Sequence, residues 1–383
     1  MNKFLEMGEP SIGSDIDVGI VETFCENLSS HMIKNNFSAN DMVSKFEEKF
    51  KKIFDEKNFS LVTNATTALE LSLYIIKQEC SYVNVVTQAI GFFGVHSMII
   101  SRGYPLSLCD TEKTKFEFNM DDLEKILLQG ANVILITHMN GISANSEKIR
   151  ELVAAISFKL GRKIWIIDDL SRSLGAKIKG KNLSFYSDFT IYSFQSKKHM
   201  TLLGEGGGIV CSNYKHENLI KSARGFGDKI SYGFNHKISF SQVLFGLHFL
   251  DKVVSQIERR ILIGKKRDLN FSEFPIFDFL YPSTTDTRCT YYLYTLRIND
   301  EFEQSLRDVI VEKLNFKGIG CCIANKPTYQ TSSFIHSQLN NPICPNAEYL
   351  SKRIFSISIH PSFTNHEEEY IYDCLTEVAH EYK

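Results

Sequence analysis

No stretch of about 18 uncharged apolar residues occurs in the chain, so no membrane-spanning helix and no membrane partner is expected. Charge of one sign does not prevail either. Lys plus Arg is 43 and Asp plus Glu is 45, a net charge of -2, which argues against a nucleic-acid binder that relies on a broad basic face. There is no C-x-x-C pair. The nine cysteines (25, 80, 109, 211, 289, 321, 322, 344 and 374) are odd in number and scattered. They read as reduced thiols of a cytoplasmic protein, not as a disulfide frame, and they lack the ligand spacing of a zinc site. The start, Met1-Asn2-Lys3-Phe4-Leu5-Glu6, carries an acid where a secretion signal would run apolar. No repeat or low-complexity run stands out. What is present is a globular composition, 43% apolar and 23% charged. The 383 residues suffice for two or three domains, or for one large α/β domain with a smaller one.

Up to about residue 212 helical and extended patterns alternate. Met42, Phe46, Phe50 and Ile53 share one helical face. Phe59–Val62, Val83–Val86 and Leu106–Cys109 read as strands, and a second helical run spans Thr66–Ile76. Val133-Ile134-Leu135-Ile136 and Ile164-Trp165-Ile166-Ile167 are continuous apolar runs, as in strands buried on both faces of a parallel sheet. A helical pattern over 145–160 lies between them. The order implies βαβ crossovers and an α/β sheet flanked by helices. Residues 238–263 form a long helical pattern, followed by a polar stretch near 273–286 and a tail of mixed character. The spacing places a large domain over 1–250, with an N-terminal arm, and a smaller α+β domain over 251–383.

Four strand ends carry polar residues where α/β sheets bind ligands. Val62-Thr63-Asn64-Ala65-Thr66-Thr67-Ala68 runs from strand into helix; free N–H groups there suit a phosphate, and plain capping by Asn64 or Thr66 also accounts for it. Asp168-Asp169 follow a buried strand. They call for a cationic partner such as a metal, an arginine or a protonated ring nitrogen, unless one Asp caps a helix and the other is solvated. In Ser193-Phe194-Gln195-Ser196-Lys197-Lys198-His199 one lysine, if semi-buried, would be an imine-forming nucleophile; otherwise the pair is a solvated turn. Gly204-Glu205-Gly206-Gly207-Gly208 is a flexible turn beside them. A phosphate site, a carboxylate for a ring nitrogen and an imine lysine are the three parts that hold pyridoxal 5'-phosphate (PLP).

The run from Ser193 to Gly207 resembles the S-F-H-x-x-K-N-(I/M)-T-T-(L)-G-E-G-G signature of the DegT/StrS family of PLP-dependent sugar aminotransferases. The resemblance covers nearly the whole chain. Asn64–Leu69 resembles the family's S-G-T-A-A-L loop, and Gly91–Val95 stands where the family has T-F-V-A-T. Gly103–Asp110 resembles G-A-x-P-V-F-V-D, and Thr137–Gly141 resembles V-H-L-Y-G. Asp168–Ala176 is similar to E-D-A-A-Q-A-H-G-A, and Gly233–Ser239 to G-Y-N-Y-R-M-S. Near the end, Ala347–Ile354 and His360–Thr364 are similar to A-E-x-L-S-x-R-I and L-H-P-S-L-T.

The resemblance implies a fold type I protein, like aspartate aminotransferase, that acts as a homodimer with a shared active site. By motif, Lys198 and not Lys197 would form the imine with PLP, and Asp169 would pair with the ring nitrogen. Phe92 would stack on the ring. Ala65, Thr66 and Ser193 would bind the phosphate, Asn235 would reach it from the partner subunit, and Arg172 would stand near the ring's phenolic oxygen. Lys237 replaces the family's Arg at the place that grips a donor carboxylate, and Lys is a point charge, not a bidentate fork. Phe93-Gly94-Val95 and Met139-Asn140 depart from the pattern near the expected sugar pocket. Lys198 itself counts against the dehydratase branch, where histidine takes its place. The implied activity is transfer of an amino group from L-glutamate to a keto-sugar, most simply a nucleotide-linked keto-deoxyhexose, in two ping-pong half-reactions. A cyclitol or other non-nucleotide ketone is the alternative substrate, and a non-catalytic regulator with the same fold the alternative of another class.

Overall fold

The computed structural model describes residues 5, 16–227, 232–280, 286–323, 325–340 and 342–382. Asp17 opens α1 (Val18–Ile33) by accepting the Ile20 N–H at 2.9 Å. In α2 (Asn40–Phe54) the expected apolar face is realised. Phe46 and Phe50 are fully buried, and the Phe50 ring stacks 4.0 Å from Phe59 in β1 (Phe59–Val62).

From β1 the chain alternates as its pattern suggests. Next come α3 (Ala65–Glu79), β2 (Val85–Gln88), α4 (Phe93–Ser101), β3 (Leu106–Cys109), α5 (Met120–Leu128), β4 (Val133–Thr137), α6 (Ser146–Leu160) and β5 (Trp165–Asp169). A short hairpin, β6 (Lys177–Ile178) and β7 (Lys181–Asn182), precedes β8 (Phe189–Ser193) and β9 (Gly207–Cys211). These build a seven-stranded sheet ordered β1-β9-β8-β5-β4-β2-β3. Pairing is parallel from β8 through β3, and only β9 is reversed, antiparallel to both β8 and β1. No helix therefore separates β8 from β9. A loop over 194–206 joins them at the end of the sheet where β4, β5 and β8 finish, and it carries both lysines. The fold is that of the α/β class expected, with apolar clusters on both faces of the sheet.

After α7 (Tyr214–Arg224) and the hairpin β10 (Gly225–Gly227) and β11 (Tyr232–Asn235), one helix of 32 residues, α8 (Phe240–Phe271), runs eight residues past the end of its apolar pattern. Its first half packs Val243, Phe249, Val253 and Ile257 into the core beneath α2. Its second half gives Ile263 and Phe271 to a separate core. The division proposed near residue 250 falls inside this helix. That second core surrounds a four-stranded sheet ordered β12-β14-β16-β15, from β12 (Phe277–Phe279), β14 (Tyr294–Ile298), β15 (Cys321–Cys322) and β16 (Ile354–Ile357). Covering it are α9 (Leu306–Phe316) and α13 (Asn365–His380), with α10 (Thr328–Thr331), α11 (Ser333–Gln338) and α12 (Pro345–Ser351) nearer the large sheet. A strand from this region, β13 (Thr287–Arg288), returns to pair with β6. Among the described residues no helix is long and apolar enough to cross a membrane.

One buried acid gives the fold a pH dependence. Glu56 accepts from Ser184 Oγ at 2.6 Å and Tyr192 Oη at 2.8 Å, yet burial outweighs these donors and pushes its carboxyl up from 4.5 to about 7. The folded state thus holds this proton more tightly than the unfolded chain. The stabilising contribution is complete below pH 4.5 and is lost as the pH rises through about 7. Two and a half pKa units correspond to on the order of 3 kcal/mol. Glu56→Gln is expected to remove this part of the fall in Tm across that window. Thermal unfolding at several pH values checks it, and an equally steep profile in the variant would contradict the burial account.

Candidate active site

The ends of β1, β9 and β8 lie side by side, with Val62 opposite Gly207 and Gly207 opposite Ser193. A Cβ on Gly207 would sit 2.2 Å from the Asn64 carbonyl carbon and 2.6 Å from the Ala65 nitrogen. Only glycine lets β9 pass this close beneath the first turn of α3. Asn64 caps that helix, its Oδ1 accepting the Thr67 N–H at 2.8 Å, while its carbonyl takes the Ala68 N–H at 3.1 Å. The N–H groups of Ala65 and Thr66 precede the first intrahelical bond and point off the helix end. Asn64 capping is thus compatible with an anion site at these N–H groups, with Ser193 at the neighbouring strand end.

The two acids of β5 face opposite ways, as strand neighbours must. Asp168 is fully buried, accepting from His138 Nε2 at 2.9 Å and Ser146 Oγ at 3.1 Å. His138 Nδ1 accepts the Ala144 N–H at 3.0 Å, so its proton lies on Nε2. Neither carboxylate is solvated, which corrects the capping alternative drawn from the sequence: Asp169 is 3% exposed. Asp169 sits on the α3 face of the sheet, and its Oδ1 accepts the Ser171 N–H at 2.9 Å.

In the loop over 194–206, Lys197 is exposed and Lys198 half-buried. The loop is closed by Phe194 N–H to the Gly206 carbonyl at 2.8 Å and Leu202 N–H to the Phe194 carbonyl at 2.9 Å, and its Phe194, Met200 and Leu202 enter the core. The Lys198 Nζ lies 3.5 Å from Tyr292 Oη and 5.2 Å from that ring's centroid. Arg172 approaches the same ring, 5.5 Å from its centroid, with Nη1 3.2 Å from Asn140 Oδ1 and 3.5 Å from Asn325 Oδ1. Lys198 and Arg172 therefore converge on one tyrosine that lies far along the chain.

Beside them opens a cleft of about 450 Å³, lined by Phe92, Phe93, Arg172, Lys197, Asn325 and Lys326 among others. Phe92 is 50% exposed to it, its ring lying over Gly94, where a Cβ would come within 2.6 Å. Asn140, one of the departures noted in the sequence, is fully buried at φ 55 and touches Arg172, so it stands one contact from the cleft. Asn235 and Lys237 are not brought here. Asn235 is exposed on β11, and Lys237 lines a second cleft with Lys221 and Arg224, its Nζ 4.3 Å from the Phe226 ring. Sequence reasoning missed Tyr292 and Asn325. Tyr292 sits in an apolar run that signals only a strand, and Asn325 in a connection with no pattern.

The model of the DegT/DnrJ/EryC1/StrS aminotransferase family matches residues 19–376. The chain belongs to this family. It is therefore an aminotransferase. It is similar to the UDP-4-amino-4,6-dideoxy-N-acetyl-beta-L-altrosamine transaminase of Campylobacter jejuni (serotype O:2), 24% identical over 96% of this chain and 97% of that protein. It is also similar to the GDP-perosamine synthase of Escherichia coli O157:H7, 23% identical over 89% of this chain and 91% of that one. Among solved structures, Helicobacter pylori PseC, an aminotransferase involved in the biosynthesis of pseudoaminic acid, superposes with a TM-score of 0.85 at 21% identity, covering 99% of this chain and 100% of that one. The PLP-form of Spr1654 from Streptococcus pneumoniae superposes at 0.85 with 20% identity, covering 99% of each chain.

The residues present suit that cofactor. The turn over Gly207 ends in the open N–H groups of Ala65 and Thr66, Asp169 is a buried carboxyl on the α3 face, and Lys198 holds its amine 3.5 Å from Tyr292 Oη.

Proposed function

We propose that this aminotransferase moves an amino group from L-glutamate to the keto carbon of a nucleotide-linked sugar, a keto-deoxyhexose, and that it works as a cytoplasmic homodimer. The observation that carries the substrate class is the charge of the cleft. Among the described residues its lining includes Arg172, Lys197 and Lys326 and not one carboxylate. Such a wall suits the diphosphate of a nucleotide sugar, whose charge is costly to desolvate without cationic donors. The names of the similar proteins, which specify UDP- and GDP-linked sugars, support the same class.

In this reading Ala65, Thr66 and Ser193 bind the cofactor phosphate, Phe92 packs against the ring, and Arg172 lies toward its phenolic oxygen. Asn235 serves the partner's site, in keeping with its distance from the cleft of its own chain. PLP, when bound, supplies an electron sink for a carbanion. Asp169 would hold a proton on the ring nitrogen. Lys198 would anchor the cofactor and, as a free amine, would carry a proton between the two carbons that exchange hydrogen.

The test is transfer of nitrogen-15 from labelled L-glutamate to a panel of ketones, followed by mass spectrometry. Label is expected in a nucleotide-linked keto-sugar and not in an inosose or a free keto-sugar; label found only in the latter two would overturn the assignment. In parallel, Lys326→Glu is expected to raise KM for the nucleotide sugar about tenfold, equivalent to ~1.4 kcal/mol, with the glutamate half-reaction unchanged.

A further inference from the structure

Tyr292 has no role in any of the steps above, yet it reaches the lysine amine from outside the lysine loop. Its side chain is fully buried. Its Oη lies 3.2 Å from the Lys197 carbonyl oxygen and 3.5 Å from Lys198 Nζ. A phenol has one hydrogen, and the carbonyl can only accept. The hydroxyl therefore donates to Lys197 and turns a lone pair toward Lys198.

The position is fixed from both sides. Thr290 N–H bonds the Gly141 carbonyl at 2.8 Å, and Leu293 N–H bonds the Asn140 carbonyl at 3.2 Å, so the two residues flanking the tyrosine pair are held to the end of β4. Gly141, at φ 86, makes this approach possible, since a Cβ there would lie 2.4 Å from the Tyr292 nitrogen. The His199 ring packs edge-on at 5.4 Å, neutral because burial pushes its pKa down to about 3. Arg172 stands at 5.5 Å from the ring centroid.

We infer that Tyr292 is a positioning residue for Lys198: its hydroxyl holds the lysine amine, as a hydrogen-bond acceptor, during the half of the cycle in which that amine is free. The inference rests on the assignment of Lys198 as the cofactor lysine. An acceptor suits this task better than a donor. An amine that donates one N–H to Tyr292 keeps its nitrogen lone pair free to take a proton from the substrate carbon, whereas a donor would occupy that lone pair. Holding Nζ in one place also removes rotamer freedom that a four-carbon side chain would otherwise regain on release. The hydroxyl and the ring do separate jobs, since a phenylalanine ring would fill the same space between Arg172 and His199.

The decisive variant is Tyr292→Phe, loaded with PLP and followed by absorbance. Three results are expected together. The visible band forms as in the wild type, so cofactor attachment is intact. The single-turnover rate with L-glutamate falls about tenfold, less than the roughly 10²–10⁴ that acid–base catalysis itself contributes, because the base is misplaced and not removed. The glutamate concentration at half-saturation stays within about twofold, a split that loss of packing alone would not produce. A Y292F protein that turns over at the wild-type rate overturns the inference. So does a folded Y292F that forms no band, because Tyr292 would then be needed to make the link and not to hold the free amine. Loss of the band in Lys198→Ala is a separate matter and tests the lysine assignment itself. Should Y292F fail to fold, a crystal structure of the wild-type enzyme with pyridoxamine phosphate, in which the lysine is free, decides. Nζ within hydrogen-bond reach of Tyr292 Oη is expected, and Nζ more than about 5 Å away overturns the inference.

Discussion

Lys198→Ala is expected to leave the purified protein without its visible absorption band and to lower amino transfer by at least about a thousandfold, because in the proposed mechanism one change removes both the covalent anchor and the proton carrier. The neighbouring lysine is the natural control. Lys197 is exposed at the rim of the cleft and Lys198 half-buried against Tyr292, so the two amines meet different surroundings although one residue apart. Lys197→Ala is expected to keep the band and to weaken only nucleotide-sugar binding. A band that survives Lys198→Ala and vanishes in Lys197→Ala would reverse the assignment.

Asp169→Asn is expected to cost about 10²–10³ in the rate of either half-reaction, the range found when a group that stabilises developing charge is removed. The fold should tolerate it, since the Asn oxygen can still accept the Ser171 N–H that Asp169 accepts at 2.9 Å. Asp168→Asn should behave in the opposite way. Asp168 is fully buried and serves His138 and Ser146, so its replacement disturbs an internal network and is expected to lower stability by about 1–3 kcal/mol. Stopped-flow half-reaction rates and thermal unfolding, measured on both variants, separate the two acids. A rate loss confined to the Asp168 variant, with its Tm unchanged, would show that position 168, not 169, faces the cofactor.

The α/β architecture was legible in the sequence because buried parallel strands need apolar side chains on both faces. Val133–Ile136 and Ile164–Ile167 announce this plainly, and they form β4 and β5. The lysine loop and the capped turn at the start of α3 were legible because their signals are local to a few consecutive residues. Other features depend on partners distant in sequence. The extra turns of α8 were hidden because charged residues occupy core-facing positions. Arg267 is buried, its Nε and Nη2 donating to Glu368 at 2.8 and 2.7 Å and its Nη1 to the Ser358 carbonyl at 2.7 Å. An apolar count stops at such residues, although the helix does not. The reversal of β9 was hidden for a similar reason, since a strand's direction is set by its neighbours and its residues read the same either way. Tyr292 lay in a run that is merely strand-like, and only the docking of that run against Gly141 gives it a neighbour to act on.

That docking also bears on how this enzyme can be cut or recombined. The wall that faces the lysine is supplied by chain beyond residue 290, anchored through Gly141 and through the β13–β6 pairing, while the rod linking the two cores is a single uninterrupted helix. A fragment ending near residue 250 would split that rod and leave Lys198 facing solvent where Tyr292 belongs. The smallest exchangeable piece for making chimaeras with other sugar aminotransferases is thus not the sequence-contiguous first two-thirds, but a patchwork in which residues 138–141, 193–207 and 287–295 travel together.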